Sequence, residues 1–283
     1  MDKSELAFVE AIYADEQSDA PRLIYADWLD EQGRADRASL IRVQCEMARC
    51  QEGSANFLKL KQRESKLILS LDAAKEFAGL KVAGIRAWKL RRGMIEVLTL
   101  NAERHLKNAN RLLKHVPSIR EMKLNKLRGV FAAFLEVKWL ERLTSLNLSD
   151  NGLGVTRMLQ LAEVSGLRNL RTLSVRNNKI TPRGARALLT SPHLSQLRRL
   201  ELNQEDFARQ SELAVEGSDW EQLEELYMII SAPRGRHFRQ LLTDLLDINH
   251  RCKIELNLQG SPDKDLDELM SRYPGRVEVV SSW

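Results

Sequence analysis

From residue 95 onward, apolar positions return in one short phrase. Residues 143–151 read Leu143-Thr-Ser-Leu146-Asn-Leu148-Ser-Asp-Asn151, apolar at the first, fourth and sixth places and an amide at the ninth. The phrase recurs at Leu170, Leu173, Val175 and Asn178, and again at Leu197, Leu200 and Leu202, each copy 27 residues after the last. Looser copies start at Ile95, Ile119 and Leu223, and a degenerate one near Arg251 keeps Ile254 and Leu256. Apolar and polar residues alternate within each copy, as in a short strand buried on one face. The gaps carry apolar residues at helical spacing: Met158, Leu159, Leu161 and Ala162 in one, Ala185, Leu188 and Leu189 in the next. Thr181 as cap and Pro182 as first helical residue are expected to open the second of these. A single strand-plus-helix unit is too small to bury its own leucines, so the pattern predicts stacked units with one continuous core. The ends of such a stack need covers. The N-terminal helices are expected to supply one, and Val277-Glu-Val-Val280, as a last strand, the other.

The first 92 residues have a different rhythm. Ser4 is expected to cap a helix bearing Leu6, Val9, Ala11 and Tyr13 at helical spacing. Asp19 caps a second, with Pro21 in its first turn, which runs through Leu23, Ile24, Trp28 and Leu29 to stop at Gly33. A third carries Leu40, Ile41, Val43, Met47 and Ala48. Residues 54–82 read as amphipathic helix, with Phe57, Leu60, Leu67, Leu71 and Phe77 among charged residues. Gly79, Gly84 and Gly93 then break the pattern, so 83–93 reads as a joint. The predicted division is a helical head at 1–52, a helical neck and joint at 53–92, and a strand–helix array at 93–283.

The phrase L-x-x-L-x-L-x-x-N, with intervals of 24 to 28 residues, resembles the leucine-rich repeat of the longer, ribonuclease-inhibitor-like type. That resemblance implies an α/β solenoid, with parallel strands on a concave face, helices on a convex face and an all-α cap at the N-terminus. The head has a resemblance of its own. Ala20-Pro-Arg-Leu-Ile-Tyr-Ala-Asp-Trp-Leu-Asp-Glu-Gln-Gly33, followed by Leu40-Ile-Arg-Val-Gln-Cys-Glu-Met-Ala48, resembles the repeat-companion domain of bacterial leucine-rich-repeat proteins. The resemblance implies a short helical module ahead of repeats. It supplies no biochemical activity. The repeat type also resembles that of GTPase-activating solenoids such as the one acting on Ran, which work through a loop arginine; Arg91 or Arg104 would fill that role here.

Charge is distributed unevenly. Residues 1–50 hold 6 basic and 11 acidic side chains, residues 51–142 hold 20 and 9, and residues 143–283 hold 18 and 19. An acidic head, a basic neck and a near-neutral array leave the neck open to an acidic partner or to the head itself. No run of about 18 apolar residues exists, which argues against a membrane span. Residues 1–10 lack a basic and an apolar signal region, and a cytoplasmic location is expected. Cys45, Cys50 and Cys252 have no C-x-x-C or histidine spacing and are expected to be reduced thiols, with no metal. The five histidines are scattered, and no nucleophile elbow, phosphate loop or metalloprotease motif occurs. The expectation is a non-catalytic protein without cofactor, monomeric, binding a protein partner.

Strand alternation selects the residues that could bind. The third, fifth and seventh places of each phrase face away from the leucines. They include Lys123, Asn147, Ser174, Arg199, Glu201, Glu225 and Tyr227, and a seventh-place column of Asn101, Asn125, Ser149, Arg176, Asn203 and Ile229. Arg176, Arg199 and Tyr227 are the expected anchors, because Arg and Tyr carry a disproportionate share of interface energy. The ninth-place Asn151 and Asn178 point inward and are expected to bond loop backbone between repeats. The alternative surface is a polyanion-binding patch of Arg86, Trp88, Lys89, Arg91 and Arg92, extended by Lys59, Lys61, Arg63 and Lys66. Against nucleic acid stands the absence of a stacking platform or reading motif. Tyr25, Asp27, Trp28, Asp30 and Glu31 on the second helix read as structural or docking residues.

Overall fold

A computed structural model describes residues 3–15, 17–71, 76, 85, 87–108, 116, 118–203, 221–230, 236–258 and 264–281. The chain divides into two compact units, one of residues 1–100 with 108–120 and the other of 101–107 with 121–283.

The first unit holds helices α1 (Lys3–Ala14), α2 (Ala20–Glu31), α3 (Ala35–Ala48) and α4 (Ala55–Ser70), then strands β1 (Ala87–Arg91) and β2 (Met94–Asn101). Its core gathers Val9, Ile12, Tyr25, Ala26, Leu29, Ala38, Ile41, Cys45 and Met94, with Phe8, Leu23 and Trp28 packed against them. The rings of Phe8, Tyr25 and Trp28 meet at centroid distances of 5.3 to 6.0 Å. Two predicted caps fall elsewhere. Ser4 lies inside α1, which already includes Lys3. Asp19 precedes α2 as expected but makes no capping bond; its carboxylate turns to Arg49 at 2.8 Å and Arg92 at 3.2 Å, whose charges outbid a neutral N–H. Gly33 does end α2 in a left-handed turn, at φ +74°. Ser54 caps α4, accepting from the Phe57 N–H at 3.2 Å. The helix stops at Ser70, where Leu71 turns extended; of the rest of its predicted course, to residue 82, only Glu76 is described.

The predicted joint contains a strand. β1 pairs antiparallel with β2, Arg91 opposite Met94, so Arg92 and Gly93 form a two-residue hairpin turn. Both have positive φ, +42° and +79°, which is the turn whose twist suits a hairpin. Helix α3 grips this turn from below. Gln44 accepts from the Gly93 N–H at 2.6 Å and Arg37 donates to the Gly93 carbonyl. Arg22, almost wholly buried, pairs with Glu96 at 3.4 Å. Burial pushes the Glu96 carboxyl above the usual range, and the guanidinium of Arg22 pulls it part of the way back.

In the second unit the strands β3 (Glu121–Asn125), β4 (Ser145–Asn147), β5 (Thr172–Ser174), β6 (Arg199–Asn203), β7 (Glu225–Ile230), β8 (Lys253–Leu258) and β9 (Val277–Ser281) follow in chain order. Each pairs with the next, always parallel. Met122, Leu146, Leu173, Leu200, Leu226, Ile254 and Val277 stand in register across all seven, and all are buried. Each buried aliphatic side chain in such a column contributes about 1.5–3 kcal/mol. Between strands lie α5 (Ala102–His105), α6 (Phe131–Leu135), α7 (Gly154–Ala162), α8 (Thr181–Leu189), α9 (Arg236–Ile248) and α10 (Lys264–Arg272), α5 ahead of β3. They bury the predicted faces, Met158, Leu161 and Ala162 on α7 and Ala185, Leu188 and Leu189 on α8. Leu159, expected on that face, is only half-buried. Thr181 is no cap: it is the first residue of α8, at φ +60°, and no side chain caps that end.

Asn151 and Asn178 do what their position demands. The Asn178 amide donates to the carbonyls of Leu148, Val175 and Arg176 at 2.9 to 3.1 Å, and its oxygen accepts from the N–H groups of Asn151 and Leu153. Asn151 repeats the pattern one unit earlier, donating to Leu124, Leu148 and Ser149 and accepting from Leu127. Each amide thus ties its own loop to the preceding one.

Candidate functional site

The residues facing away from the leucines form the outer surface of the parallel strands. Their richest part spans β5 to β8. Arg199 on β6 reaches three carboxylates: Glu201 on its own strand at 3.1 Å, Glu225 on β7, and Glu255 on β8 at 3.4 Å. Glu201 is shared, its other oxygen lying 3.4 Å from Arg176. Both guanidinium groups lie near the face of Tyr227, at 5.2 Å for Arg176 and 5.6 Å for Arg199, within cation–π range. Partial burial works against the Arg199 charge, but Glu225 and Glu201 outweigh it and hold its proton more firmly than usual. Register explains why these residues meet: Arg199 stands opposite Glu225, and Glu201 opposite Tyr227, which stands opposite Glu255. The expected anchors Arg176, Arg199, Glu201 and Tyr227 therefore form one cluster. Glu255 completes it; its place in the degenerate seventh phrase was the signal for it.

The other expected residues separate from this cluster. Lys123 and Asn125 are exposed on β3. Asn101 accepts from the Arg104 N–H at 3.3 Å and so caps the short α5. Asn147 accepts from the Ser149 N–H at 3.0 Å. Asn203 joins an amide ladder, donating to Asn177 at 2.8 Å and accepting from its N–H at 2.7 Å, while Asn177 donates to Asp150 at 2.8 Å. Ser149 and Ser174, expected on the outward face, are buried and bonded to each other at 2.8 Å. Ser174 lies in register between Asn147 and Glu201, and a serine is too short to rise past such neighbours.

The alternative, basic set gathers on the β1–β2 hairpin. On β1, Lys89 and Arg91 are exposed and Trp88 is half-buried, with the pairing to β2 shifting in register between Lys89 and Leu90. Arg92 turns back to Asp19 and to the Gln17 carbonyl at 3.1 Å. Arg86 lies outside the described residues. Lys61 pairs with Glu64 at 2.6 Å. On α2, Asp27 and Asp30 both bind Arg42, at 2.6 and 2.7 Å, while Tyr25 donates to Glu5 at 2.7 Å in the core. Arg104, on α5, is exposed.

The three cysteines are free thiols, and burial pushes Cys45 and Cys252 up to about 12. No helix among the described residues is long and apolar enough to cross a membrane. A family model described as "Leucine Rich repeat" matches residues 142–156 and 166–189, the stretch that holds the two intact phrases. No curated protein matches the chain. The match shows leucine-rich repeats within residues 142–189, a unit that generally serves protein–protein interaction.

Proposed function

We propose that the chain is a non-catalytic interaction scaffold, a leucine-rich-repeat solenoid that binds a partner protein through the concave face of its parallel strands. The observation that carries this reading is the Arg176–Arg199–Glu201–Tyr227 cluster. Parallel pairing fixes its backbone, and ion pairs hold its side chains, so little conformational freedom is lost on docking. Tyr and Arg are also the residues whose burial gives most interface energy. The partner surface it suits presents an apolar or aromatic group to Tyr227, flanked by polar groups that match the exposed Glu225 and half-exposed Glu255. The head, by its resemblance to repeat-companion modules, is a short helical module ahead of the repeats in this reading, and the protein works as a cytoplasmic monomer.

The test is affinity capture from native lysate, with and without nuclease, read by mass spectrometry. A nuclease-resistant protein partner lost on Arg176→Ala with Tyr227→Ala, at an unchanged melting temperature, is the expected result. Diffuse, nuclease-sensitive capture that survives this double variant would move the function to the basic hairpin.

A further inference from the structure

Because β3, β4 and β5 are parallel, the loops that follow them leave the sheet along one edge. The loop after β3 carries Lys126 and Arg128; the loop after β5 carries Lys179 and runs into α8, where Arg183 lies in the first turn; all four are exposed. Hydrogen bonds and close contacts bring these loops together around the loop after β4. Arg128 approaches Gly152, its Nη1 lying 3.9 Å from where a Cβ would stand. Gly154 donates to the Asn178 carbonyl at 2.9 Å, placing Lys179 beside it. Arg157 on α7 donates to the Leu153 carbonyl at 3.1 Å and the Arg128 carbonyl at 3.3 Å, adding a fifth cation between the two loops.

What sets this edge apart is its lack of compensation. Arg176 and Arg199 on the sheet face are held by glutamates. At the edge where strands begin, Arg168 faces Glu141 at 3.5 Å and Arg198 faces Glu224 at 3.5 Å. Among the described residues, no ion pair joins Lys126, Arg128, Arg157, Lys179 or Arg183 to a carboxylate. Acids near these loops among the described residues include Glu103, close to Gly129, and Asp150, which accepts from Asn177. Among the described residues these five cations outnumber the acids and repel one another, and an anionic ligand here breaks no described ion pair to bind.

We infer that this loop edge binds an acidic polypeptide segment. Neighbouring strands lie about 4.8 Å apart, so the outer loops place cations about 10 Å from each other with Arg157 between. An extended peptide presents same-face side chains about 7 Å apart, and glutamates reach both loops from one strand of chain. Single-stranded nucleic acid fits less well, because among the described residues the edge offers no exposed ring for a base: Phe131, beneath Arg157, is buried. The inference stands apart from the sheet-face cluster, whose residues it does not use.

The experiment is fluorescence anisotropy of a labelled peptide of alternating Glu and Asp, about ten residues long, at about 50 mM and 300 mM salt. Saturable binding that weakens with salt, falls at least about tenfold in Arg128→Ser/Lys179→Ser/Arg183→Ser, and is unchanged in Arg176→Ala/Tyr227→Ala is the expected result. The single variant Arg183→Glu, at an exposed site, gives the same direction should the triple variant fold poorly. Absent binding, or binding that all these variants leave intact, overturns the inference. So does an oligothymidylate of equal length that binds more tightly than the peptide and is lost in the same variants, since it would make nucleic acid the ligand.

Discussion

Asn178 makes five hydrogen bonds from one side chain; Asn151 also reaches the Leu148 carbonyl and the Asp150 N–H the Arg176 carbonyl, while the N–H groups of Asn151 and Leu153 and the Val175 carbonyl have Asn178 as their partner. Asn178→Ala should therefore lower stability by about 3–5 kcal/mol, since buried backbone groups on two loops lose their partners together. Urea denaturation monitored by circular dichroism measures this; a loss below about 1 kcal/mol would mean water replaces the amide. Asn178→Asp sets a buried carboxylate oxygen against three carbonyls and should cost at least as much as the alanine change. The cysteines give a second residue-scale expectation. Cys45 and Cys252, raised to about 12 from an ordinary value near 9, keep their protons in the folded state where the unfolded chain releases them. Their stabilising contribution is complete below pH 9 and is lost as pH climbs towards 12, and Tyr25, raised by burial and Glu5, acts in the same direction. Denaturation midpoints should fall steadily above pH 9. A thiol reagent at pH 8 should modify half-buried Cys50 alone in the native protein, and a second fast thiol would contradict the burial of the others.

Among elements, the hairpin shows where local pattern runs out. The run Trp88-Lys-Leu-Arg-Arg-Gly93 looks like a basic joint because its charges obscure the alternation of a strand. What makes it a strand is pairing with β2, and what orders its turn is α3, some fifty residues earlier. A Cβ on Gly93 would overlap Ile41 Cγ1 and stand 2.8 Å from its Cα, at a φ of +79°. Gly93→Ala is expected to destabilise the first unit by several kcal/mol, about 3 or more from strain and overpacking together. Thermal unfolding followed by tryptophan fluorescence would show it, and an unchanged midpoint would mean the turn is not held against α3. The left-handed residues Lys126, Asp150 and Asn177 occupy one place after three successive strands. Asp and Asn tolerate that conformation, and the phrase spacing locates the turn, though not its geometry.

Across the array, every strand depends on its neighbours for both core and hydrogen bonds. β9 covers β8 along five residue pairs, with Val277 in the buried column. Ending the chain at residue 263 should cost about 3 kcal/mol or more, from one buried valine, lost ladder bonds and the apolar face of α10. Differential scanning calorimetry would detect the loss as a lower and broader transition; an equal midpoint would mean that β8 tolerates an open edge. The leucine columns, the parallel strands and the interlocking asparagines were legible in the sequence, since period and alternation encode which face each residue takes. The burial of Ser149 and Ser174 was not, because it depends on the length of side chains one strand away. Nor was the neutralisation of Arg199 by three glutamates on three different strands, or the gathering along one loop edge of cations that no ion pair holds among the described residues. Periodicity is a property of the chain and survives in one dimension. Charge pairing is a property of register between segments distant in sequence, and only the folded sheet sets it.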